Sequence, residues 1–175
     1  MKKILILSFC ILIASPSLYA VDVPFNGTTA HVYFSPDGGC TEAIKEIGKA
    51  KSEILIQAYS FTSKPIAEAI VKAHKRGIHV EIILDKSNKS AKYSAGDFTA
   101  HMGIPTFIDA EHAIAHNKIM LIDRETVIMG SFNFTKAAEE KNAENLLILK
   151  SKELAIVYLN NWLEHKKHSV EYKGK

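Results

Sequence analysis

Four residues, Ile119-Met120-Leu121-Ile122, form an apolar run with no alternation. A strand with one wet face alternates apolar and polar side chains. One that does not alternate reads as a central strand buried on both faces. Asp123-Arg124-Glu125 then interrupts the run, and residues 126–129 are apolar again. The spacing predicts a hairpin of strands 118–122 and 126–129.

The rest of the chain supplies the cover. Strands are expected at 31–34, 54–59, 79–84, 105–108 and 145–149. Between them lie helical patterns. Asp37-Gly38-Gly39 reads as a turn, and Thr41 can cap a helix running to about Ala50, with Ile44 and Ile47 inward. Ser63 caps a second helix with Pro65 in its first turn and Ile66, Ala69, Ile70 and Ala73 as its stripe, and Gly77 ends it. Residues 86–103 read as a loop plus a helix, and 137–141 as a short helix. Ser151 caps a last helix with Leu154, Ala155, Tyr158, Leu159 and Trp162 on one side. The fold class is α/β: a mixed central β-sheet flanked by helices on both faces, in a single domain.

Residues 1–20 stand apart. Met1-Lys2-Lys3 is basic, Ile4 to Ala14 is apolar except for Ser8, and Ser15-Pro16-Ser17-Leu18-Tyr19-Ala20 follows, with Leu18 bulkier than usual before a cleavage site. This is the layout of a secretory signal peptide, with cleavage after Ala20 and a periplasmic or secreted product. The apolar stretch is short for a bilayer core of about 30 Å, so a permanent anchor is the lesser reading. Removing Lys2 and Lys3 takes 22 basic side chains to 20 against 19 acidic, and the net charge from +3 to +1. Bulk basicity therefore does not argue for an anionic partner. One cysteine, Cys40, remains, which excludes an internal disulfide and predicts a packed, unpaired thiol.

The chemistry gathers between His116 and Asn133. Alternation puts His116 and Lys118 on one strand face. A three-residue loop pairs Ile122 with Thr126, Met120 with Ile128, Lys118 with Gly130 and His116 with Phe132. An imidazole, an ammonium, the Ser131 hydroxyl and the Asn133 amide then converge. Gly130 would admit a backbone or ligand at close range. Asp123 falls at the far end, roughly 23 Å away at about 3.3 Å per residue, and is assigned to the turn. Lys and Asn can neutralise phosphoryl oxygens, and neutral His is a nucleophile or general base. The set suits attack on a phosphodiester. It lacks the carboxylate cluster of a two-metal site. It also lacks a second group to protonate the leaving oxygen.

His116-x-Lys118, four residues, Asp123, six residues, Gly130-Ser131-x-Asn133 resembles the signature of the phospholipase D superfamily at every position. QAYSFTSKPIAEAI and GSFNFTKAAEEKNAENLLI extend the likeness to its small, single-motif bacterial endonucleases. The resemblance implies a homodimer whose site lies on the two-fold axis. One His116 would be the nucleophile, the other the acid and then the base. Lys118 and Asn133 of both chains would hold the phosphate, with Ser131 in support. Glu144 matches the glutamate that hydrogen-bonds the active-site histidine in the small nucleases. The mechanism needs no metal and no cofactor. Asp123 and Gly130 remain structural members of the motif.

Other residues carry less. Lys86, Lys89 and Lys92 could track a nucleic-acid backbone or form a solvated loop. Tyr59, Phe61 and Phe134 could flank the cleft, with packing the expected job of at least two. His112, four residues before His116, invites a metal reading that the strand pattern disfavours. His31, His74, His79, His101, His165 and His168 read as scattered, packed or partly exposed histidines. The favoured function is an exported, metal-independent endonuclease acting on DNA, or RNA, with little sequence preference. Phospholipid hydrolysis by the same chemistry is the alternative, followed by a non-catalytic nucleic-acid-binding accessory protein.

Overall fold

A computed structural model describes residues 28, 30–36, 38–91 and 94–175. The expected signal peptide, Asp37 and Lys92 lie outside the described residues. In chain order the strands are β1 (Ala30–Phe34), β2 (Glu53–Ala58), β3 (His79–Asp85), β4 (Thr106–Asp109), β5 (Lys118–Ile122), β6 (Thr126–Gly130), β7 (Asn145–Lys150) and β8 (Val170–Tyr172). The helices are α1 (Gly39–Lys49), α2 (Lys64–Lys75), α3 (Ala95–His101), α4 (Lys136–Glu140) and α5 (Lys152–His168).

The strands form one sheet in the order β1-β7-β6-β5-β2-β3-β4-β8. β2, β3 and β4 run parallel, and the remaining pairs are antiparallel. The non-alternating run is therefore a central strand, with all five of its residues buried. Its two faces serve two cores. Met120 and Ile122 join Ile56, Ile82, Ile47, Ile66 and Ile70 beneath α1 and α2. Ile119 and Leu121 join Leu55, Ile83, Leu154 and Trp162 beneath α5. The Trp162 indole N–H donates to the Ile56 carbonyl at 3.0 Å, which satisfies its one polar atom.

Ser63 and Ser151 cap their helices as expected, accepting from the amides of Ile66 and Leu154. Thr41 does not cap α1. That helix begins at Gly39, and the carboxylate of Glu139 accepts from the Gly38 and Cys40 amides at 3.2 and 2.8 Å. A distant anion thus satisfies orphan N–H groups at the positive end of the helix dipole. Cys40 is buried and free, and burial pushes its thiol pKa up.

The hairpin register is met at Ile122–Thr126 and Met120–Ile128. The expected continuation, Lys118 opposite Gly130 and His116 opposite Phe132, is not part of that ladder. Beyond Met120, β5 holds to β2, with Lys118 opposite Ala58, while β6 holds to β7, with Gly130 opposite Leu146. The amides of Ser131 and Phe132 both donate to the Asn145 carbonyl, so the chain turns off the sheet there. Phe132 then packs into the core against the start of α1.

Candidate active site

The parting of β5 from β6 opens a cleft of about 350 Å³, lined by His116, Asn117, Lys118, Gly130, Asn145 and Tyr158 among others. A cleft of about 410 Å³ at Thr62, Lys64, Glu68 and Phe98 is larger but contains none of the motif. Chemistry, not volume, selects the first.

His116 is exposed at the mouth, two residues before Lys118, the strand partner of Ala58. Its ring lies 4.5 Å from the Tyr59 ring, tilted by 55°. Tyr59 is fixed in turn. Its amide donates to the Asn117 carbonyl at 2.8 Å, and its carbonyl accepts from the Asn88 amide at 2.6 Å. Phe61 and Phe134 are fully buried, edge to face, so of the three aromatic candidates only Tyr59 flanks the cleft.

Lys118 is 7% exposed. Its ammonium donates to the His116 carbonyl at 2.6 Å and stands 5.1 Å from the Tyr59 ring centroid. Burial pulls its pKa below the ordinary lysine range, and the Glu144 charge opposes that pull in part. A desolvated cation with no ion pair among the described residues is poised for an anion.

Ser131 and Glu144 stand behind Asn145, which lines the cleft. The Ser131 hydroxyl donates to Glu144 at 2.6 Å and accepts from the backbone and side-chain amides of Asn145. The second Glu144 oxygen accepts from Asn142 at 2.9 Å. Within the chain Glu144 thus holds Ser131 and Asn142, and no hydrogen bond joins it to His116 among the described residues. Asn133 carries a buried Oδ1 that takes no hydrogen bond among the described residues, an unmet polar group that calls for an explanation. Gly130 has φ 150°, and a Cβ there would stand 2.2 Å from the Asn145 carbonyl oxygen. The close neighbour that this glycine admits is the β7 backbone.

Asp123 sits at the far end of β5, as the hairpin count requires. Its carboxylate accepts from the amides of Lys51, Ser52 and Glu53 and from the Ser52 hydroxyl, at 2.8 to 3.2 Å. Burial raises its pKa, but those donors outweigh burial and hold it below the usual range. Asp123 and Arg124 also adopt φ near +55°, a conformation costly for non-glycine residues that this anchorage sustains.

The loop into His116 is pinned by buried Asp85, which accepts from the Ala115 amide at 2.8 Å. Lys86 donates to the His112 carbonyl at 2.9 Å, and Lys89 is exposed beside it. His112 and His116 are not brought together. His112 instead meets Asp109, His165 and His168, so the reading of the last two as scattered was a failure of sequence to see distance. Asp-x-x-His before β5 and His-x-x-His at the end of α5 were the available signals.

Comparison with known proteins agrees with this geometry. Residues 43–166 match the family described as "Cardiolipin synthase, PLD-like domain". The chain is 45% identical over 134 residues to a protein named phospholipase D from Rickettsia felis, covering 76% of this chain and 67% of that one. The phospholipase D family member Nuc from Salmonella typhimurium superposes with a TM-score of 0.81 at 36% identity, over 84% of this chain and 99% of that one. NucT from Helicobacter pylori superposes with a TM-score of 0.73 at 26% identity, over 83% and 99%. The sheet, the cleft and its histidine–lysine pair thus define a phosphodiesterase. The chain belongs to the phospholipase D superfamily.

Proposed function

We propose that this phosphodiesterase is an exported endonuclease that hydrolyses DNA, or RNA, with little sequence preference, in a site shared by two copies of the chain. The observation that carries the reading is the exposed His116 beside a buried Lys118 that has no ion pair among the described residues. One end of one strand supplies a nucleophile and a charge clamp, and the cleft holds no second histidine among the described residues. A second copy across a two-fold axis supplies the missing acid.

In that arrangement one His116 attacks phosphorus in line. The P–N bond forms as the P–O bond to the leaving group breaks, and His116 of the second copy protonates the departing oxygen. The second His116 then removes a proton from water, which hydrolyses the phosphohistidine. Lys118 and Asn133 from both copies neutralise the charge that develops on the phosphoryl oxygens. Ser131, held by Glu144, fixes Asn145 at the edge of the cleft. None of these steps draws on a metal.

The likeness to small single-motif endonucleases and the superposition on nearly the whole of Nuc support nucleic acid as substrate. The names of the Rickettsia relatives favour phospholipid as the second reading. No described helix is long and apolar enough to cross a membrane. The deciding experiment assays plasmid DNA, RNA and phosphatidylcholine vesicles side by side in excess chelator, well below the melting temperature. Nucleic-acid cleavage, trapping of a phosphohistidine and a dimer in sedimentation are expected. Cleavage of vesicles alone, or activity confined to a monomer, overturns the reading.

A further inference from the structure

About a dozen residues of loop and helix end, outside the cleft, gather three imidazoles around one carboxylate. Asp109 closes β4 and is fully buried. Its Oδ2 stands 3.0 Å from His112 Nδ1, 2.8 Å from His165 Nδ1 and 3.3 Å from His168 Nε2. The ring centroids are 4.8, 5.2 and 5.4 Å apart. His168 Nε2 is itself buried and lacks hydrogen-bond geometry to any partner. A buried carboxylate needs donors, but two backbone amides, from Glu111 and His112, already reach its Oδ1. Three imidazoles on its other side exceed that need, and they repel one another if protonated together.

We propose that Asp109, His112, His165 and His168 bind one divalent transition-metal ion, of which Zn²⁺ is the favoured case, and that the ion fastens the loop carrying His116 to the last turn of α5. Three nitrogens and one oxygen form a closed, four-coordinate donor set suited to a structural zinc site. One ligand atom from each residue already lies within 4.8 Å of the others. Zinc with bonds of about 2.0 Å holds tetrahedral ligands roughly 3.3 Å apart, so the widest gap closes by roughly 1.5 Å. Ring rotation covers this, because the His112 and His168 side chains are 46% and 24% exposed. Each neutral ring then carries its proton on the nitrogen facing away from the ion. For His168 that nitrogen, Nδ1, has a waiting acceptor in Glu111 at 3.6 Å, the outer carboxylate that metal-bound histidines commonly recruit.

The site is separate from the phosphodiesterase chemistry and is tested without reading activity. Protein stripped with chelator and dialysed is titrated with Zn²⁺ alone by calorimetry, and with Co²⁺ by visible absorption. One ion per chain, a raised melting temperature and the intense visible bands of four-coordinate cobalt are expected. His112→Ala removes a half-exposed ring and should leave the fold intact. It weakens zinc binding at least about 100-fold, as loss of a direct ligand costs more than the 10- to 100-fold of an outer partner. His165→Ala does the same, while His31→Ala and His116→Asn bind like the parent. Absence of stoichiometric binding overturns the site. So does binding that survives both His112→Ala and His165→Ala, or that vanishes in His116→Asn, which would put the ion in the cleft.

Discussion

At the Asp123 end of β5, four donors from three consecutive residues converge on one carboxylate. At the His116 end, an exposed imidazole adjoins a buried ammonium whose one hydrogen bond among the described residues goes to a backbone carbonyl. Both ends belong to the same 18-residue motif. The Asp123 end is bound to backbone and side-chain donors of the neighbouring segment, and these contacts act on the fold. The other end holds charge and acceptor capacity that nothing among the described residues uses. A motif residue can therefore be structural or chemical, and its unspent hydrogen bonding tells which.

The largest test of that contrast is His116→Asn. Hydrolysis should fall by at least about 10⁴-fold, in line with removal of a covalent nucleophile, while the melting temperature stays unchanged. Residual activity within tenfold of the parent would place the nucleophile elsewhere. Next comes Lys118→Met. It should lower kcat by about 10²- to 10³-fold, the usual cost of losing one charge-stabilising donor. Stability should hold or rise, because a desolvated cation is replaced by an apolar chain of similar length.

Asp123→Asn inverts the pattern. It should cost about 2 kcal/mol of stability in denaturant titration, with kcat within a few-fold of the parent. Asp123 has a folded pKa below its unfolded one. Its stabilisation is therefore full above about pH 4 and is lost as pH falls through the folded value, and the variant should lack that component of acid unfolding. A large kcat loss at full stability would erase the distinction between the ends. The smallest effect is the alkaline limb of the activity profile. Lys118 loses its proton below the ordinary lysine range, so activity should decline there, and Lys118→Arg should move the decline upward in pH. The same depression means that the folded chain binds fewer protons in that window and gains stability as pH rises through it.

Much of this was legible along the chain because the signals are local. The unbroken apolar run placed β5 in the middle of the sheet, and the polar break set the register of the hairpin as far as Met120 and Ile128. Ser63, Pro65 and Gly77 marked both ends of α2. Strand β8 escaped because three residues after a 17-residue helix carry no period to read. The ladder ended early for a reason that lies outside the hairpin: Gly130 is claimed by the β7 backbone, and Phe132 by the core under α1.

The sequence by itself determined the superfamily, the sheet's central strand and the division of the motif between its two ends, because spacing along one strand converts directly into distance. Only the tertiary structure decided which residues far apart in the chain would meet. Glu139 reaches back about 100 residues to cap α1, and His165 and His168 come from the last helix to Asp109, 56 or more residues earlier. Those meetings follow from sheet order and helix packing, in which β4 lies near one edge and α5 crosses the face beside it. Neither composition nor periodicity encodes that geometry in any local stretch.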